Sequence, residues 1–110
     1  MERPGTFEEF WPYYVAQHRL PATRMLHFVG THLGLVAAAL GFVFSPWLFA
    51  AAPVLGYGFA WIGHFFFEKN QPATFTYPLW SLRGDFRMLR LTWAGKMGGE
   101  VARLIDGAHP

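Results

Sequence analysis

His64-Phe65-Phe66-Phe67-Glu68 closes a long apolar run with an imidazole and a carboxylate four residues apart. On a helix, positions i and i+4 share one face. A carboxylate in such surroundings is costly to bury unless a partner or a cation faces it. His18, His27 and His32 stand just before the first apolar run. Two or three neutral imidazoles with a carboxylate form a donor set for non-haem Fe(II) and leave coordination positions open for substrate and oxygen. The candidate metal ligands are therefore His18, His27 and His64, with Glu68 as a further ligand or a catalytic base. His32 fits less well, because five residues from His27 is about 140° around a helix.

The absence of cysteine excludes disulfides, thiolate zinc sites and iron–sulfur clusters, so a metal must rest on His, Asp or Glu. The chain is 53% hydrophobic and 15% charged, against roughly 25% charged in soluble domains. Aromatic residues reach 19%, an excess that suits lipid contact and interfacial anchoring. After residue 68 the basic side chains Lys69, Arg83, Arg87, Arg90, Lys96 and Arg103 outnumber Asp85, Glu100 and Asp106. The adjoining apolar mass fits an anionic lipid surface better than nucleic acid, and no nucleic-acid partner is expected. The acidic, aromatic N-terminus does not resemble a cleavable signal peptide.

The elements that must position these groups form an all-α chain read as one membrane domain over 1–110. Thr6-Phe7-Glu8-Glu9 has the form of a capping box and opens a short helix over about 7–19. Pro12 can kink it, and Pro21 ends it by restricting the preceding residue. Residues 33–67 contain no Asp, Glu, Lys or Arg and a single His, His64. Ser45-Pro46 divides this stretch into membrane helix one, about 22–44, and membrane helix two, about 46–68. Each would be roughly 33–35 Å long, enough for a hydrocarbon core of about 30 Å. The expected fold is a membrane-embedded antiparallel helical hairpin. Basic residues on its outer flanks place both termini in the cytoplasm. Leu82, Phe86, Leu89 and Trp93, with Arg83, Arg87 and Arg90 beside them, predict an amphipathic helix over about 79–106 lying on the membrane surface. Gly95, Gly98 and Gly99 should weaken it.

Small residues mark where membrane helices approach closely. Helix one offers Gly30, Gly34, Ala38 and Gly41; helix two offers Ala52, Gly56 and Ala60. Extending these rows reaches His27 on one side and His64 and Glu68 on the other. Both histidines lie about 27–29 Å from the turn at Ser45, hence at one depth. A bend at Pro21 could fold His18 over the same mouth. Plainer readings exist for each residue. An interfacial His can simply be hydrogen bonded, His64 and Glu68 can pair without a metal, and the phenylalanines and tryptophans can pack or meet lipid.

Taken together, Tyr14-x3-His18, Arg24-x2-His27-x2-Gly30, Gly63-His64-x3-Glu68-x3-Pro72-Ala73 and Tyr77-Pro78-Leu79-Trp80-Ser81-Leu82-Arg83-Gly84-Asp85 resemble the 2-hydroxy fatty acid dioxygenase family. The likeness covers most of residues 7–90 and is greatest to a short bacterial branch. It implies an integral protein of the bacterial inner membrane that uses Fe(II) and O2 for α-oxidation, shortening a 2-hydroxy fatty acid by one carbon. The histidines essential in the fungal member match His18, His27 and His64. His32 stands where the larger members are expected to have proline. A 2-hydroxy carboxylate could chelate the iron while its tail stays in the bilayer, and Lys69, Arg83 or Arg87 could pair with its carboxylate. Two other classes remain open: a non-catalytic hairpin that scaffolds or oligomerises, and a different metal enzyme such as a zinc hydrolase. All three allow homo-oligomers, since two spans bury little surface alone.

Overall fold

The computed structural model describes residues 3–106, which are helical with no strand. They divide into two compact units, one built from the residues up to Arg19 and from Asn70 onward, the other from Leu20–Lys69.

The Leu20–Lys69 unit is a pair of long helices. Helix α2 (Pro21–Val43) starts with Pro21 at its first position, where the missing N–H costs nothing. Helix α3 (Trp47–Ile62) follows after Phe44–Pro46 and carries Pro53 inside it without a break. Ser45 makes no side-chain cap to α3; Pro46 occupies the cap position. Both elements are long and apolar enough to cross a membrane, α3 together with the turn that extends it to Glu68.

Glycine is required where these two helices touch. A Cβ on Gly30 would stand 2.7 Å from Phe59 Cβ, one on Gly34 would stand 2.8 Å from the Ala52 carbonyl oxygen, and one on Gly41 would meet Phe49 at 3.0 Å. Numbers rise along α2 as they fall along α3, so the two run in opposite directions. The buried row on α2 is Gly30, Gly34, Ala37 and Gly41. Ala37 takes the place expected of Ala38, because a true helical period alternates steps of three and four. Gly56 differs from expectation too. Its backbone lies near Gly34, but a Cβ there would point into open space. The faces away from the contact are apolar and uncovered: Phe42, Phe44 and Trp47 are 84%, 75% and 83% exposed.

The other unit is organised by α1 (Phe7–Ala16). Thr6 Oγ1 accepts from the Glu9 N–H at 3.2 Å, while the Glu9 carboxylate takes the Gly5 N–H rather than that of Thr6. Pro12 is accommodated within α1. Phe7, Phe10, Trp11, Tyr14 and Val15 form an aromatic core with Ala73, Met88, Met97 and Val101. A 3-10 turn (Ala73–Phe75) leads to α4 (Pro78–Trp93), and α5 (Met97–Val101) continues into a π-turn (Ala102–Asp106). The single helix expected over 79–106 is thus interrupted after Trp93, where Gly95 takes a φ of +73°. The face of α4 that enters the core is Ser81, Gly84 and Met88, whereas Leu82, Phe86 and Trp93 remain exposed.

Candidate metal centre

His27 lies nearly two turns inside α2 and is buried beside the small-residue seam. His64 follows Gly63, whose backbone rests against Thr23; a Cβ at 63 would come within 2.9 Å of Thr23 Cγ2. Glycine there lets the helix end close on α2 and delivers His64 to His27. The two Nε2 atoms face each other at 3.4 Å, with the rings nearly perpendicular at 88°.

That separation is informative. A normal N–H···N hydrogen bond is closer to about 3 Å. Two nitrogens bound to one ion at about 2.1 Å, at an angle between octahedral and tetrahedral, stand roughly 3.0–3.4 Å apart. The pair therefore has the spacing of two ligands on one metal.

His64 sits in a π-turn, Gly63–Glu68, rather than in regular α-helix. Such turns widen the helix and recur at functional sites. The turn ends at Lys69, a non-glycine residue in the left-handed region (φ 62°, ψ 41°), whose N–H donates to the His64 carbonyl. Glu68 is engaged elsewhere. Its Oε1 accepts the N–H of Leu20, the residue that caps α2, at 2.5 Å. The carboxylate thus satisfies an N-terminal donor of the helix that bears His27.

In the other unit, His18 follows the end of α1 and is buried. Its Nδ1 stands 2.7 Å from the Tyr14 carbonyl oxygen. A carbonyl only accepts, so Nδ1 carries the proton and Nε2 holds the lone pair that a metal needs. The ring stacks on Tyr14, with centroids 4.2 Å apart. The Tyr14 hydroxyl donates to Asp85 Oδ1 at 2.5 Å, a contact between residues 71 apart that no local sequence signal could reveal. Burial pushes the Asp85 carboxyl up to about 7, against the Tyr14 hydrogen bond, which lowers it. Burial and the charge of Asp85 raise the Tyr14 phenol well above its ordinary range.

His18, His27 and His64 are the buried histidines among the described residues, and this donor set could hold a metal ion. His32 and Glu68 are not part of it. The His32 ring turns back along α2, its Nδ1 donating to the Phe28 carbonyl at 2.7 Å. Of the cations considered for a substrate carboxylate, Lys69 is exposed. Arg83 lies over the Phe7 ring at 4.1 Å. Arg87 pairs with Glu8 at 3.3 Å and covers the Trp11 ring.

The family described as 2-hydroxy-palmitic acid dioxygenase Mpo1-like matches residues 5–97. The chain belongs to the Mpo1-like family. The matched span includes His18, His27 and His64, Tyr14 and Asp85, and all three candidate carboxylate partners. No curated protein sequence and no solved structure matches the chain.

Proposed function

We propose that the protein is an Fe(II)-dependent dioxygenase that shortens 2-hydroxy fatty acids by one carbon, with His18, His27 and His64 as the protein ligands of one iron. The observation that carries this reading is the 3.4 Å spacing of the His27 and His64 Nε2 atoms in a buried setting. The family description supports the reaction class. Three neutral imidazoles leave coordination positions for a hydroxy-carboxylate chelate and for O2, and the bound iron would supply the chemistry that activates oxygen.

The chain's own groups prepare that site. The Tyr14 carbonyl keeps His18 protonated on Nδ1. Gly63 admits His64 to the flank of α2. Glu68, by holding the Leu20 N–H, fixes the start of the helix that carries His27; we assign it a positioning role in place of the base anticipated from its spacing. Lys69 is the favoured partner of the substrate carboxylate, since Arg87 already faces Glu8 and Arg83 lies over Phe7.

The uncovered apolar faces of α2 and α3 support a membrane-embedded hairpin, since water contact with Phe42, Phe44, Trp47 and Val54 would be costly. We place it in the bacterial inner membrane with both termini cytoplasmic. The exposed Leu82, Phe86 and Trp93 of α4 suit the headgroup region. A homo-oligomer is part of the same proposal, the open side of Gly56 and Gly58 offering a surface for close approach.

Protein purified without oxygen and loaded with Fe(II) should hold about one iron per chain. It should consume O2 with a 2-hydroxy fatty acid and release an acid one carbon shorter, read by mass spectrometry. Metal uptake without substrate-linked oxygen consumption would point to another metal enzyme. Equal absence of iron from wild type and His64→Ala would leave a non-catalytic hairpin.

A further inference from the structure

We propose that Asp85 and Tyr14 act together as positioning residues for the His18 ligand. The inference rests on the reading of His18 as a ligand.

A backbone carbonyl fixes which nitrogen of His18 carries the proton, but that one bond does not set the tilt of the ring. The tilt is set by the Tyr14 ring, stacked at 4.2 Å and 26°. Tyr14 in turn is held by Trp11, Gly84 and Asp85. Trp11 stacks on it with centroids 5.5 Å apart and an angle of 13°. The α4 backbone at Gly84 presses on its edge, where a Cβ would stand 3.0 Å from Cδ2. Asp85, the next residue on α4, accepts its hydroxyl proton in a hydrogen bond. Glycine followed by aspartate therefore lets α4 approach the phenol and then hold its tip. A carboxylate placed in such a sheltered position costs stability. A plain aromatic contact would have joined α1 to α4 without that cost, so the retained carboxylate points to orientation of the ring that His18 rests on. Groups that orient a metal-bound imidazole commonly change metal affinity 10–100-fold when removed.

The test uses the full-length, metal-free protein in lipid nanodiscs, titrated anaerobically with Co(II). Tyr14→Phe and Asp85→Ala are expected to weaken cobalt binding about 10–100-fold and to shift its visible bands. Asp85→Asn, which keeps an acceptor for the phenol, should return affinity to within about threefold of wild type. In NMR of the metal-free protein, the His18 ring-proton shifts, displaced by the stacked Tyr14 ring, should move in Asp85→Ala, while the Tyr14 carbonyl keeps the Nδ1-protonated tautomer. Met88→Ala, in the same core but outside this arrangement, controls for general destabilisation and should leave both readouts unchanged.

Lower thermal stability in Asp85→Ala with unaltered cobalt affinity and unaltered His18 ring-proton shifts would overturn the proposal while leaving the metal site intact. Failure of Asp85→Asn to restore affinity would overturn it as well. Wild type that takes up no cobalt would overturn the underlying ligand assignment, and the proposal with it.

Discussion

The Nε2 atoms of His27 and His64 stand 3.4 Å apart across two helices that run in opposite directions. Removal of either imidazole leaves at most one contributor from this pair. His27→Ala and His64→Ala should each reduce Fe(II) or Co(II) affinity by at least about 100-fold, while His32→Ala should stay within about threefold. Anaerobic metal titration followed by metal analysis separates these outcomes. A loss in His32→Ala equal to that in His64→Ala would refute the proposed ligand set.

The seam between α2 and α3 makes an asymmetric prediction. Gly34→Ala places a methyl 2.8 Å from a backbone oxygen of Ala52, which cannot move without shifting α3. A loss of about 1–3 kcal/mol is expected. Gly56→Ala meets nothing within 4 Å and should be neutral, or stabilising by up to about 1 kcal/mol through helix propensity. Thermal unfolding of the two variants in one detergent tests the contrast.

Glu68 acts at the start of α2. Glu68→Ala removes the acceptor of the Leu20 N–H and should destabilise by about 1–2 kcal/mol, in the range of other lost caps. Metal stoichiometry should remain that of wild type. A variant of normal stability that binds metal but has no turnover would restore the catalytic-base assignment.

Asp85 links stability to pH. Its carboxyl titrates near 7 when folded, well above the ordinary carboxylate range, because it is buried. Between about pH 4 and 7 the folded chain keeps a proton that the unfolded chain has released, so stability falls as pH rises through that window. The full effect is up to about 4 kcal/mol. Glu100 works in the opposite sense. Its carboxyl is held low, chiefly by the Trp11 N–H at 2.7 Å, so its contribution disappears only as pH falls into the acid range. Asp85→Asn should flatten the decline between pH 4 and 7. A melting series that keeps its wild-type slope in this variant would disprove the assignment.

Much of this arrangement is legible in the residues. Proline at positions 21 and 46 and the unbroken apolar run delimit α2 and α3, because each acts through local backbone geometry. His27 and His64 can be paired by counting equal distances from Ser45, since rise per residue is fixed in a helix. Glu68 could not be placed that way. The four-residue rule assumes α winding, and in the π-turn the fourth neighbour falls short of a full turn, which sends the carboxylate toward Leu20. The contact between Tyr14 and Asp85, both present in the sequence motifs, is not legible for another reason: pairings across 71 residues depend on how α4 packs, and its buried face is Ser81, Gly84 and Met88, not the leucines and phenylalanine that dominate its sequence pattern.

Lys69 holds a left-handed backbone at the end of the π-turn, a conformation that costs a non-glycine residue about 1–2 kcal/mol. Its ammonium, at the negative end of the preceding helix, recovers about 0.3–1 kcal/mol of that. Exchange for glycine would relax the main chain and forfeit the charge, two changes of opposite sign of which the first is the larger. Such a replacement should leave folding intact or slightly firmer, so any loss of the proposed turnover that it causes reports on the amine and not on a weakened fold.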